Sequence, residues 1–474
     1  MSEIYKRMKQ IIFILLATFV SLQINAELKL QKIRVKAPFK IPVLLIPDFQ
    51  SCPTFSIIDF GAVQGDKAKT SKAIADAISA ANVVDGGTVV IPAGEWLTGK
   101  VHFKSNVNLH LSQDATLLFD DDPNDYLPAV PTSWEGIECM NYSPLVYAYG
   151  CKNIAITGTG KIKAKMDHWR NWFTRPAGHM NSLVRLYNLA YKNVPACERM
   201  MVNDSANLRP HLIHLNRCEN IRLENFSIEN SPFWTIHTYI CKNVLLRKLN
   251  VYAHGHNNDG YDPEMTENGL VENCTFDQGD DAIAVKSGRD HEAWRLNKPT
   301  RNLVIRNCTI KNGHQLLAIG SELSGGIENV YMNNCTVAPD AKMFHLVFIK
   351  TNERRGGFVR NIQVENVSSG AISEGVLGIE TDVLYQWRNL MPTYDRILTP
   401  ISKVHLKNIS AGKVKFISRI LGEKELPVRD VKLKNVKATE VTKQNHIHQN
   451  LVPALPFKKT MSQQYEKPTE PIYK

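Results

Sequence analysis

An all-β chain wound as a parallel β-helix is the fold this sequence predicts, and three observations carry it. A short block headed by a turn residue recurs: Asn153-Ile-Ala-Ile, Asn220-Ile-Arg-Leu, Asn243-Val-Leu-Leu, Asn268-Gly-Leu-Val, Asn302-Leu-Val-Ile, Asn329-Val-Tyr-Met and Asn361-Ile-Gln-Val. Degenerate copies follow at Lys403-Val-His-Leu and Asp430-Val-Lys-Leu. Within each copy apolar and polar residues alternate, which is strand periodicity. From Asn220 onward the copies lie 23 to 42 residues apart, so the strands repeat while the loops vary. Short repeated strands that cannot bury a face alone stack as a solenoid around one core. Thirdly, cysteines recur in two registers. Cys151, Cys218 and Cys241 stand just before an Asn-(Ile/Val) pair, and Cys274, Cys308 and Cys335 sit in Asn-Cys-Thr. Small side chains in register suit an interior stacked between rungs, and the repeated turn Asn suits a hydrogen-bonded side-chain ladder.

The elements follow in chain order. Residues 1–26 read as a secretory signal: Lys6, Arg7 and Lys9 precede an apolar run from Ile11 to Leu22, with cleavage expected after Ala26. The run is too short for a secure membrane anchor, so an exported protein, periplasmic or secreted, is expected. Residues 27–55 form an N-terminal extension, 56–440 the coil, and 441–474 a Lys-, Gln- and Pro-rich tail. Ser71 to Asn82 carries Ala and Ile at helical spacing and is expected to cap the apolar end of the solenoid. Gly86-Gly87-Thr88-Val89-Val90-Ile91-Pro92 turns into the first strand. Residues 165–207 break the repeat, carry Trp169, Trp172 and Arg175, and read as a long loop insertion.

Composition narrows the function classes. The chain has 474 residues, 43% hydrophobic and 22% charged, ordinary for a globular protein. Net charge is +11, and removing residues 1–26 takes away three positives and one negative, leaving +9. A basic exported protein suits an acidic partner such as an anionic polysaccharide. The basic residues are scattered, without an aromatic-interleaved stripe, which argues against nucleic acid. Nine cysteines cannot all pair, and no CxxC spacing for zinc occurs. A monomer without cofactor is expected.

Three carboxylates form the main chemical signal: Asp259 in Asn257-Asn258-Asp259-Gly260, and Asp280 and Asp281 in Gly279-Asp280-Asp281-Ala282. A gap of 21 to 22 residues is one turn of such a coil, which stacks the acids on neighbouring rungs roughly 5 Å apart. Asn273 to Asp281 aligns without a gap onto Asn307 to Gln315, placing His314 at the position of Asp280 on the next rung. Ala284-Val285-Lys286-Ser287 aligns more loosely with Phe348-Ile349-Lys350-Thr351. Alternation then turns Ile283, Val285, Val347 and Ile349 inward and Ala284, Lys286, Phe348 and Lys350 outward onto one face. Glycosidic cleavage needs an acid for the departing oxygen and a carboxylate to activate water, and crowded like charges keep one acid protonated. His314 is placed to set that acid's protonation, Lys286 and Lys350 to pair with an acidic sugar, and Asn257 to position ring or water. Two rivals stand beside this reading: a calcium-dependent β-helix lyase and a non-catalytic carbohydrate-binding solenoid. His254 and His256 read as loop residues.

At these residues the chain resembles glycoside hydrolase family 28, the polygalacturonases and their relatives, over about residues 56 to 440. The family's Asn-x-Asp and Gly-Asp-Asp are present at Asn257 and Gly279. Its Gly-His-Gly ends in Gln315, and its Arg-Ile-Lys begins with Phe348. Asp59-Phe-Gly-Ala-Val, Lys104-Ser-Asn-Val-Asn-Leu, Ser231-Pro-Phe-Trp and Ile319-Gly-Ser-Glu322 also resemble bacterial members. The resemblance implies a right-handed coil, hydrolysis with inversion, Asp280 as general acid, and Asp259 and Asp281 on the water. It implies acid and base carboxyls roughly 6.5 to 9.5 Å apart, and an acidic pectic polysaccharide or oligosaccharide as substrate. Where the family's Arg binds a galacturonate carboxylate, Phe348 offers an apolar plane, so a less acidic leaving group such as rhamnose is expected. Gln315 is expected to narrow the cleft. The Ile319 to Glu322 motif and the 165–207 insertion point to exo action.

Overall fold

In the computed structural model, residues 28–203, 206–383 and 395–443 are described. The expected signal (1–26) and nearly all of the expected tail lie outside them. Within them the chain is a right-handed parallel β-helix, and the sequence reasons for it are visible rung by rung. One parallel sheet stacks ten strands, from Val101–His102 through Ile213–Asn216, Tyr261–Glu264, Ile283–Val285 and His345–Lys350 to Phe416–Leu421. Beside it run two further columns of short strands. These merge from Ile327–Val337 onward into strands of 10 to 14 residues.

The recurrent asparagines hold the turns. Asn106, Asn153, Asn220, Asn243, Asn268, Asn302, Asn329 and Asn361 all have φ between 54° and 61°, a left-handed conformation that Asn tolerates better than most residues. Their side chains form a ladder: Asn153 Nδ2 donates to Asn106 Oδ1 at 2.8 Å, Asn220 to Asn153 at 2.8 Å, and Asn243 to Asn220 at 2.9 Å. It continues from Asn302 to Asn268, Asn329 to Asn302 and Asn361 to Asn329. The degenerate copies keep the backbone without the amide, with Lys403 at φ 55° and Asp430 at φ 53°. Cys151, Cys218, Cys241, Cys274, Cys308 and Cys335 are free, buried thiols in the central core.

The capping helix spans Lys67–Val83, longer than its Ala/Ile-rich centre, because Asp66 caps it by accepting from the Lys69 amide at 3.0 Å. Ala73, Ile74, Ala77, Ile78 and Ala81 bury its apolar face. The strand Thr54–Ser56 already pairs with Gly87–Ile91, so the sheet begins just before residue 56. Ahead of it, Lys29–Ile33 and Leu44–Asp48 make an antiparallel hairpin, and Leu44 and Ile46 cover Leu245, Leu270 and Val304 outside the coil.

The 165–207 insertion is not irregular, as the sequence reading had it. It contains helices Asp167–Trp172 and Ala177–Tyr191. Met180, Leu183, Leu186, Tyr187 and Ala190 fall on one helical face and pack with Trp134, Ile137 and Cys139 of an antiparallel hairpin, Val130–Asn141, and with Phe233 and Trp234. The result is a second small core set against the outer face of the ten-stranded sheet.

Candidate active site

All nine residues singled out from sequence line one cleft of about 610 Å³ on that face: Asn257, Asp259, Asp280, Asp281, Lys286, His314, Gln315, Phe348 and Lys350. The backbone register explains why. Tyr261 pairs with Ile283, Ile283 with Leu317, and Leu317 with Val347. This stacks Ala284, Ala318 and Phe348 in one outward column, with Lys286 and Lys350 in the next. The looser of the two alignments therefore holds. The gap-free one slips by a residue in its middle, where Asp277 pairs with Asn312 across a bulge, and recovers by His314. His314 N–H donates to Asp280 O at 2.7 Å, and the imidazole Nδ1 lies 3.0 Å from Asp280 Oδ1.

Tight backbone packing sets the acids. A Cβ on Gly279 would come within 2.5 Å of the Gly255 backbone nitrogen, so only glycine lets the Asp280 turn pass there. Asn258 pins the preceding turn by donating to the Ser231 and Phe233 carbonyls at 2.9 Å. Asn257 Oδ1 accepts from Arg209, a fully buried guanidinium between Phe173 and Phe233.

The charges are dense and almost dry. Lys350 Nζ is 2.9 Å from Asp281 Oδ2. Lys286 was expected to meet a sugar carboxylate, but it already faces three protein carboxylates, Asp259 and Asp262 at 3.5 Å and Glu322 at 3.3 Å, and lies 4.3 Å over Trp234. Burial alone would lower the Lys286 pKa; Glu322, Asp259 and Asp262 outweigh it and keep the ammonium charged. Burial, reinforced by Asp280, pushes Asp259 up to about 7 against the pull of Lys286. Burial also raises Asp281, opposed by Lys350, and raises Asp262 strongly, whose oxygens lack a hydrogen-bond partner among the described residues. Asp280 goes the other way. Burial works to raise it, but the bond and charge of His314, with Lys350 and Lys286, hold it at about 2. The His314 imidazole is raised in return, Asp280 overcoming the effect of burial. The pairing thus favours a proton on His314 beside an ionised Asp280, and burial favours another among the carboxyls around Asp259.

Several residues in and around the cleft were not read from sequence. Asp262, fully buried beside Lys286 rather than lining the cleft, shares the outward column of Ala284, a position the alternation argument could have reached. Glu322 was noticed only as part of a motif. Glu135 gave no local signal, because the hairpin brings it in from far along the chain, while Arg175 and Trp234 stood out only as parts of the insertion and of the Ser231-Pro-Phe-Trp motif, with no site role attached. His256, read as a loop residue, also lines the cleft. Arg289 ties the distant parts together, with Nη2 3.1 Å from Glu135 and a short bond to Glu322, over the Tyr187 ring.

Comparison with known proteins agrees with this geometry. The model of the family "Glycosyl hydrolases family 28" matches residues 195–456. A probable polygalacturonase of Vitis vinifera is 30% identical over 324 residues, 66% of this chain and 60% of its own length. An exo-poly-alpha-D-galacturonosidase of Dickeya chrysanthemi is 26% identical over 300 residues, 59% of this chain and 49% of its own length. The alignment thus spans about half to three-fifths of these curated relatives. A hyperthermoactive exopolygalacturonase from Thermotoga maritima superposes with a TM-score of 0.77 at 33% identity, covering 86% of this chain and 89% of that one. With the family model spanning just over half of the chain, and its carboxylates and histidine gathered in one cleft, the chain belongs to glycosyl hydrolases family 28.

Proposed function

We propose that the protein is an exported, cofactor-free, inverting exo-hydrolase of galacturonate-containing pectic chains. The observation that carries this is the pairing of Asp280 with His314 at 3.0 Å, in the same cleft as Asp259 and Asp281. The pair holds the proton that the departing oxygen needs. Substrate entry excludes water and favours the neutral pair, passing the proton from His314 to Asp280 and on to the glycosidic oxygen as the C1–O bond breaks. Asp281 and Asp259 take a proton from the water whose oxygen bonds to C1 from the opposite face. Arg175, which lines the cleft without an ion pair among the described residues, supplies a cation for a uronate carboxylate. Exo action is supported by the small second core, whose Glu135 and Arg175 wall the cleft.

Asp280→Asn should abolish hydrolysis while circular dichroism still reports the native sheet; unchanged turnover removes the assignment. Nuclear magnetic resonance of the first-formed anomer reads inversion, and release of single sugar units from a long chain reads exo action. A second reading rests on the donor atoms of Asp280, Asp281 and His314, which lie within 4.8 Å of one another and suggest a calcium-dependent lyase. An imidazole suits calcium poorly, since that ion takes six to eight oxygen ligands. Chelator sensitivity together with an unsaturated, ultraviolet-absorbing product would establish the lyase instead.

A further inference from the structure

The two departures from the family motif, Gln315 and Phe348, converge on one patch together with a residue that sequence reading did not single out. Gln315 pairs in register with His345 on the next rung, and both side chains line the cleft. The His345 and Phe348 rings stack at 4.5 Å with only 5° between their planes. Phe348 pairs in register with Gly378, and a Cβ at that glycine would come within 2.8 Å of the Phe348 ring and 2.9 Å of the His345 ring. The absence of a side chain at 378 is therefore what lets the two rings lie flat.

The patch is neutral as well as flat. Neither His345 nitrogen has a hydrogen-bond partner among the described residues, and burial holds the imidazole uncharged. The cations bordering it are spent: Lys350 on Asp281, Arg419 on Glu380 and Lys415 on Glu374. A sugar carboxylate would find an apolar ring here in place of a cation. The Gln315 amide is the neutral hydrogen-bonding group at its edge. The patch also lies on the acid's side of the site, one and two rungs past Asp280, where the departing sugar belongs.

We propose that the Phe348–His345 stack, seated on Gly378 and flanked by Gln315, is the platform for an uncharged pyranose in the leaving-group subsite, with His345 as its positioning residue. This rests on the hydrolase reading above. Because the His345 nitrogens make no hydrogen bond to the described residues, its contribution to the platform is the plane of its ring. His345→Phe should keep the platform, and His345→Ala should let Phe348 tilt.

The experiment compares oligomers in which galacturonate is linked to rhamnose with oligomers of galacturonate alone. The wild type should prefer the rhamnose leaving group. His345→Ala should raise KM for that substrate about 2- to 12-fold, the range for loss of an aromatic pair, with little change in kcat. KM for the uronate leaving group should stay put, and His345→Phe should restore the wild-type value. Gly378→Ala should reproduce the alanine effect at His345. Faster wild-type turnover of pure oligogalacturonate, or an equal rise in KM for both substrates, overturns the proposal. Calorimetry of the same oligomers binding to Asp280→Asn reads the platform without turnover. Failure to hydrolyse either substrate would then strike the hydrolase reading, whereas equal binding of both would strike this one.

Discussion

Lys350→Met isolates the assignment of the water-activating base. The ammonium lies 2.9 Å from Asp281 Oδ2, with side-chain exposures of 12% and 1%, so solvent screens the pair weakly. At an effective dielectric of 20 the attraction across that distance is about 6 kcal/mol, an upper bound before relaxation. Opposite charges in such contact commonly lower a carboxyl by about 1 to 3 pH units, or roughly 1.4 to 4 kcal/mol of proton affinity. Lys350 pulls both Asp281 and Asp259 down, so its loss raises both. A base must be ionised, and its protonation forms the acid limb of the pH profile. That limb should therefore move to higher pH by about 1 to 3 units. The assay is kcat/KM for sugar release across acid and neutral pH, which reports the free enzyme. Lys350→Arg, which keeps the charge, should leave the limb close to its original position. An unmoved acid limb in Lys350→Met would refute Asp281 and Asp259 as the base.

Three further outcomes follow from the same geometry. Arg289→Met leaves Glu135 buried without its cation and takes from Glu322 one of the cations it faces, Lys286 remaining, and should cost about 3–5 kcal/mol, read as a lower denaturation midpoint. Trp134, stacked on Phe233 at 4.6 Å, anchors the second core; Trp134→Ala should cost about 3–5 kcal/mol and shift products from single sugars towards longer fragments. His314→Ala removes the cation that depresses Asp280. A depressed carboxyl stabilises the fold above its ordinary value of 3.8 and loses that contribution as pH falls towards about 2. The variant should lose stability less steeply than the wild type over that window, as followed by urea titrations.

The repeated turn Asn and the two-residue alternation carried the coil and its register, because both are local signals. The same alternation, carried across rungs, turned Lys286, Phe348 and Lys350 to one face and brought all nine residues to one cleft. What lay beyond reach was non-local. Glu135 precedes its partner Arg289 by 154 residues, and no pattern near either reveals the pairing. The insertion helix was legible as Met180, Leu183, Leu186 and Ala190 at helical spacing, but the surrounding break in the strand repeat masked it. The role of Lys286 failed differently: its face was read correctly, but Asp262 and Glu322 claim its charge, and only packed side chains reveal that.

The asparagine ladder has a consequence for how such a chain can change. Its rungs join residues 67, 23 and 34 positions apart with bonds of nearly the same length. The coil therefore keeps phase by counting turns, whatever length of chain lies between them. Doubling a surface loop costs only about 0.6 kcal/mol of closure entropy. Whole hairpins and helices can be spliced in at the cleft rim without altering the pitch that separates Asp259 from Asp280. The rim elements that shape the cleft and the rungs that carry the acids are thus inherited on separate parts of the molecule, and one can drift while the other stays fixed.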